Sequence, residues 1–190
     1  MTIQHNIITD PDIHEPKGVA SATSGKVYIS NGSGSGVWTY PPGKAHADMY
    51  ISAGATAHTL AGASAYTLLN PSGEWTQGDV SILTTTPASG IITLNQAGSY
   101  YVDFWINFTT AAIAQGSVYN FKYALNGSVG ARLTTVAKPT NGADKLTLAS
   151  SGLVNATAGQ TLSMFVGGGA TSSGTNITPT EAGLTVLFLG

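Results

Sequence analysis

Short apolar runs separated by turn chemistry dominate this chain. Segments rich in Val, Ile, Thr, Tyr and Phe alternate with clusters of Gly, Pro, Asn and Ser, and no window carries the i, i+3, i+4 apolar spacing of a long amphipathic helix. Candidate strands are His46–Ala53, Ala65–Leu69, Val80–Thr85, Gly90–Asn95, Ser99–Phe108, Ser117–Leu125, Val129–Val136, Lys145–Val154, Thr161–Val166 and Leu184–Leu189. Between them stand Asn70-Pro71-Ser72-Gly73, Asn126-Gly127, Asn141-Gly142 and Gly167-Gly168-Gly169, all turn formers. Many short strands at such spacing predict an all-β sandwich or barrel.

Two strands depart from simple alternation. In Tyr100–Phe108 one face carries Tyr100, Val102, Phe104, Ile106 and Phe108, while the other still offers Tyr101 and Trp105 beside Asp103 and Asn107. The terminal run Leu184-Thr185-Val186-Leu187-Phe188-Leu189 is likewise apolar on both faces. A free antiparallel sandwich keeps its outward face polar, so these strands predict a second buried surface, most simply a subunit interface. Its expected members are Tyr101, Trp105, Leu184, Val186 and Phe188, with Leu187 and Leu189 as the alternate face of the closing strand.

Upstream of residue 45 the pattern changes. Asp10 to Gly18 carries two prolines and no apolar period, which predicts an extended arm. Gly25–Ser30 and Val37–Tyr40 flank a Gly-rich loop containing Asn31-Gly32 and read as a β-hairpin; Pro41-Pro42-Gly43 is its linker to the following domain. The division expected is therefore 1–44 and 45–190.

Composition narrows the function. Charged residues are 8% of the 190, against about 25% in an ordinary soluble domain, so Ser, Thr, Asn, Gly and Ala must cover the surface. With no cysteine, neither disulfides nor thiolate metal sites contribute. The net charge is −2 and the seven Lys and Arg never cluster, which argues against a nucleic-acid partner. The first dozen residues show neither a basic nor an apolar region, and no apolar run approaches a membrane span, so cytoplasmic synthesis without a membrane partner is expected.

Catalytic and cofactor motifs find little support. Gly32-Ser33-Gly34-Ser35-Gly36 is followed by Val37-Trp38 rather than by the Lys-Ser/Thr and helix of a phosphate loop, so it reads as a hairpin tip. The histidines His5, His14, His46 and His58 lack metal-ligand spacing, and no Gly-x-Ser-x-Gly elbow occurs. The carboxylates Asp48, Glu74, Asp79, Asp103, Asp144 and Glu181 form no sequence cluster. No enzymatic role, cofactor or metal is expected. Asp103 is the awkward residue, because on a face buried at a threefold axis it needs a cation or a basic partner such as Arg132 or Lys145, unless the trimer opens to water there.

Residues 45–190 resemble the compact jelly rolls of the tumour-necrosis-factor and complement-head type. The likeness rests on Ala45-His46-Ala47-Asp48-Met49-Tyr50, the aromatic strand from Gly98-Ser99-Tyr100-Tyr101-Val102, the hairpin at Tyr123-Ala124-Leu125-Asn126-Gly127, the segment Ser151–Gln160 and the closing apolar strand. It implies a jelly-roll sandwich of two antiparallel sheets, preceded by the arm and hairpin, and a homotrimer about a threefold axis. The stretch Ile13-His14-Glu15-Pro16-Lys17-Gly18-Val19-Ala20 with Val27-Tyr28-Ile29 and Asn31-Gly32 through Trp38 looks like leader segments of tailed-phage virion proteins. That second resemblance implies a capsid decoration (cement) protein on the outer surface of a phage head. The major capsid protein is then the partner, and attachment falls to Ile13, His14, Glu15, Pro16, Lys17, Val27, Tyr28 and Trp38. The alternative is a tail- or head-fibre tip binding host surface glycans through Trp38, Tyr40, Tyr50, Tyr66 and Trp75.

Overall fold

The computed structural model describes residues 22–30, 32–33, 36–60, 65–70, 73–110, 118–130, 135–137, 145–168 and 176–190. The chain divides into two compact units, Met1–Pro41 and Pro42–Gly190.

In the first unit β1 (Val27–Ser30) pairs antiparallel with β2 (Gly36–Thr39), Tyr28 opposite Trp38 and Ile29 opposite Val37. Strand alternation puts Tyr28 and Trp38 on one face, where their rings meet edge-on at 5.4 Å. The other face exposes Val27, Ile29 and Val37, the last at 61%. Lys26 Nζ lies 5.4 Å from the Tyr40 ring centroid.

The second unit is an antiparallel two-sheet jelly roll. One sheet runs β13 (Leu146–Ala156), β9 (Gly98–Thr110), β15 (Asn176–Phe188), β3 (His46–Ile51), β6 (Thr76–Ser81), with β4 (His58–Thr59) also paired to β15. The other runs β11 (Ser128–Val129), β10 (Tyr119–Leu125), β14 (Gln160–Gly168), β8 (Ile91–Leu94), β7 (Thr84–Thr86), with β12 (Thr135–Ala137) on β10 and β5 (Tyr66–Leu68) on β14. Between them lies one core. Tyr100, Val102, Phe104, Ile106 and Phe108 of β9 face Tyr119, Phe121 and Tyr123 of β10, with Phe104–Phe121 centroids at 5.9 Å and Phe108–Phe121 at 5.4 Å.

The turn chemistry works as its residue types require. Asn126 and Gly127 both take positive φ (49° and 75°), the geometry of the tight two-residue turn whose twist matches a β-hairpin. Two expected strands are broken. Val80–Thr85 divides at Ile82, whose φ of 71° turns the chain between β6 and β7 while Asn95 Nδ2 donates to its carbonyl at 2.7 Å. Val129–Val136 is represented by the separate β11 and β12.

Strand β15 begins earlier than its apolar run, and Pro179 explains why. Proline cannot donate to a ladder, and in the sheet interior it is tolerated at a bulge. The register against β9 slips there, from Pro179 opposite Phe108 to Glu181 opposite Asn107. One extra residue reverses the alternation. Ile177 and Pro179 point inward before the bulge; Ala182, Leu184, Val186 and Phe188 do so after it.

Candidate functional site

Exposure singles out one surface. Among the described residues of 42–190, the large apolar side chains open to solvent are Tyr50, Tyr101, Trp105, Leu153 and Leu189. Tyr50, Tyr101, Trp105 and Leu153 point outward from the six-stranded sheet, and Leu189 continues the Thr185–Leu187 side of β15. Exposures there run from 36% at Trp105 to 53% at Leu153.

Strand register arranges this face in rows. Leu187 lies between His46 and Tyr101, with Leu153 beyond. Next, Thr185 separates Asp48 from Asp103, with Ser151 beyond. In the third row Gly183 lies between Tyr50 and Trp105, with Ala149 beyond, and in the fourth Glu181 and Asn107 lead to Thr147. Apolar rows thus bracket an acidic one. The indole of Trp105 lies across Gly183, where a Cβ would collide with its Nε1 and Cε2. Glycine there leaves room for the indole to pack against the sheet.

Of the residues expected at an interface, Tyr101 and Trp105 share this face. Leu184, Val186 and Phe188 do not, and that expectation is corrected: they are 0–1% exposed, packed in the sandwich core. The ladder to β9 fixes their direction by setting Leu184 opposite Phe104, Val186 opposite Val102 and Phe188 opposite Tyr100, all inward residues. The alternates Leu187 and Leu189 occupy the outer side. Leu153 and Gly183 were not singled out from sequence, and Tyr50 was named only as a candidate glycan contact. Alternation within each strand was their one signal, and it does not reveal which side a partner strand covers.

Val27 belongs to the exposed side of the hairpin, and Tyr28 and Trp38 pair on its other side. Ile13, His14, Glu15, Pro16 and Lys17 lie outside the described residues, as does Arg132. Trp75, expected as an exposed glycan contact, is 4% exposed and donates its Nε1–H to the Leu69 carbonyl at 2.9 Å. Tyr66 lies beneath Lys122, whose Nζ is 4.8 Å from its ring centroid.

The charged groups form no metal cage among the described residues. Asp48 accepts from the Asp79 backbone N–H at 2.6 Å, and Asp79 pairs with His46 at 3.2 Å, the one ion pair among those residues. Asp103 sits between Tyr101 and Trp105 with no basic partner among the described residues, and Lys145 lies at the far end of the sheet, near Asn107.

At that end is a polar cavity of about 420 Å³ lined by Ser52, Ala53, Gly54, Asn107, Lys145, Thr147, Thr180 and Glu181. Asn107 Nδ2 donates to Glu181 Oε2 at 2.8 Å, and Thr147 Oγ1 donates to Asn107 Oδ1 at 2.6 Å. Gly54 N–H donates to the Thr180 carbonyl at 2.8 Å, tying one wall to the bulge. The adjoining loop is held by Glu74, whose Oε1 accepts from Ala55 N–H at 3.0 Å, Thr56 N–H at 2.9 Å and Thr56 Oγ1 at 2.6 Å. Burial pushes the Glu74 carboxyl up, but these hydrogen bonds outweigh it and hold it below the ordinary carboxylate value.

No protein-family model and no curated protein matches the chain. Solved structures do. The Eiger TNF of S. frugiperda aligns with a TM-score of 0.51 at 12% identity, over 77% of this chain and 94% of that one. The globular domain of zebrafish complement 1qA protein aligns with the same TM-score at 11% identity, over 77% and 98%. The fold is that of tumour-necrosis-factor and complement heads. At such identities the likeness extends to the jelly roll alone.

Proposed function

We propose that this chain is a structural virion protein without catalytic activity: a homotrimeric capsid decoration protein that binds the outside of a phage head and stabilises it. The observation that carries the assembly part is the exposed apolar face of the six-stranded sheet. Apolar rows on the outer face of a protein of such low charge, even with Asp48 and Asp103 between them, favour burial against another surface. A second and third copy of the same chain supply one, and closed symmetry prevents open-ended growth. Tyr101 and Trp105 with Tyr50, Leu153, Leu187 and Leu189 are the proposed contacts, and large rigid aromatics at an interface centre are the usual energetic anchors.

The virion part rests on the resemblance of the N-terminal segment to phage leader sequences. A ligand that binds only the assembled shell stabilises it by mass action. Three arms on one trimer turn weak single contacts into one multivalent attachment. The hairpin face of Val27, Ile29 and Val37 suits docking, since an isolated two-stranded hairpin is marginal on its own. Deleting residues 1–44 is the test: the truncated protein should remain a folded trimer and no longer bind expanded phage heads. Decoration undiminished by the deletion would move the attachment surface onto the jelly roll.

A further inference from the structure

We infer that the polar cavity at the Pro179 bulge is a binding site for an uncharged saccharide. The cavity volume falls within the range of small-molecule sites. Its walls are fixed before any ligand arrives. Asn107 is held on three sides, by Glu181, by Thr147 and through its own carbonyl by Thr180 Oγ1 at 3.1 Å, while Glu74 braces the adjoining loop. Such preorganisation lowers the ordering cost of binding.

The chemistry of the lining selects the ligand class. Lys145 and Glu181 border the same cavity, yet neither forms an ion pair among the described residues. Between them an ammonium donor and a carboxylate acceptor remain open. Adjacent hydroxyls of a sugar answer both, one accepting from Lys145 and the next donating to Glu181. Ser52 adds a hydroxyl that serves in either sense, while Thr147 and Thr180, whose O–H groups donate to Asn107, can still accept. A phosphate or sulfate would meet the Glu181 carboxylate, and an apolar ligand would leave the whole lining without partners. The opposed charges also admit a zwitterion such as a free amino acid. Four of the eight lining residues carry uncharged hydroxyl or amide groups, against two charged ones, and this favours the polyol.

The bulge is what builds the site. Without the extra residue Glu181 would turn into the core, and the cavity would lose its only acidic wall. The inference does not depend on which particle carries the chain or on the trimer, because every lining residue comes from one copy.

The test uses the full chain and a panel of free glucose, galactose, mannose and N-acetylglucosamine, with glycine and inorganic phosphate as the charged competitors. Saturation-transfer NMR and calorimetry should show saturable binding of at least one sugar with Kd on the order of 1 mM, the affinity class of a dozen-atom ligand. Lys145→Ala and Asn107→Ala should each weaken it at least tenfold, while oligomeric mass and circular dichroism stay unchanged. Lys145 is exposed at the start of its strand, so that variant folds even if Asn107→Ala disturbs the sheet. Absence of saturable sugar binding, binding undiminished in Lys145→Ala, or preferential binding of glycine or phosphate overturns the inference. An altered oligomeric mass with sugar binding intact would count against the trimer alone.

Discussion

Asn120, Lys122, Thr93 and Thr161 point outward from the seven-stranded sheet, whereas Tyr50, Tyr101, Trp105 and Leu153 point outward from the six-stranded one. Both sheets bury their inner faces in the same core and obey the same alternation, so their outer faces are a controlled comparison. On the seven-stranded side Tyr66 is covered from within the chain by the Lys122 ammonium. On the six-stranded side Trp105 packs over Gly183 and stays partly open to solvent. An apolar residue that the chain covers itself needs no further account. A set left uncovered, on one sheet alone among the described residues, is what the proposed partner would cover.

Substitutions and conditions of graded effect probe this contrast. The largest effect is expected inside the sandwich: Phe104→Ala removes a ring packed on Phe121 and should cost about 3–5 kcal/mol per subunit through the cavity it leaves. Thermal melting should fall at every protein concentration. Trp105→Ala, one residue along the same strand, should behave differently. It should cost about 2 kcal/mol or more per subunit in association and leave β-type circular dichroism largely intact. Sedimentation velocity should then show concentration-dependent dissociation. Lys122→Ala, on the opposite sheet, should leave association as it is. If Trp105→Ala and Lys122→Ala give the same sedimentation profile, the two outer faces are equivalent and the contrast is lost.

How far the sequence foretold these faces can be followed through β9 and β15. In Tyr100–Phe108 the larger and purely apolar set marked the inward face, and it is the inward face. Leu184–Leu189 offered no such contrast, because Leu, Val and Phe on one side were matched by Leu and Leu on the other. What decides it is the ladder to β9, a pairing between residues far apart in sequence. The Pro179 bulge was equally hidden, since a proline amid threonines reads as a strand boundary rather than an irregularity inside a long strand. The cavity followed it out of sight: Asn107, Lys145 and Glu181 come from three strands and share no local motif. Trp75 misled in the opposite direction, since a tryptophan beside Gly73 and Glu74 looks exposed until its Nε1 finds the Leu69 carbonyl.

A gentler perturbation is Gly183→Ala. Its Cβ would occupy the space of the Trp105 indole and tilt the ring off the sheet. Association should weaken by roughly 1 kcal/mol, less than on deleting the ring, with melting of the separated subunit little changed. An unaltered dissociation constant would show that the packing of Trp105 over Gly183 does not matter for association.

The smallest effect is acid sensitivity. His58 is held below the ordinary histidine value by burial, and its Nε2 has no hydrogen-bond partner among the described residues. Because the folded pKa lies below the unfolded one, this stabilising contribution is full above about pH 6.5 and is lost as pH falls toward the folded value. Glu74, also held low, adds a similar loss further into acid, below the ordinary carboxylate range. Melting temperature should decline slightly between pH 7 and pH 5.5, and His58→Gln should flatten that decline. A melting temperature that rises over this interval would reverse the sign assigned to His58.

The central claim is that the uncovered face of the six-stranded sheet is covered by copies of the same chain. Native mass spectrometry on the full-length protein tests it most directly. The account predicts one dominant species near 58 kDa, three copies of the 19.3 kDa chain. A monodisperse 19.3 kDa species at micromolar concentration would contradict it.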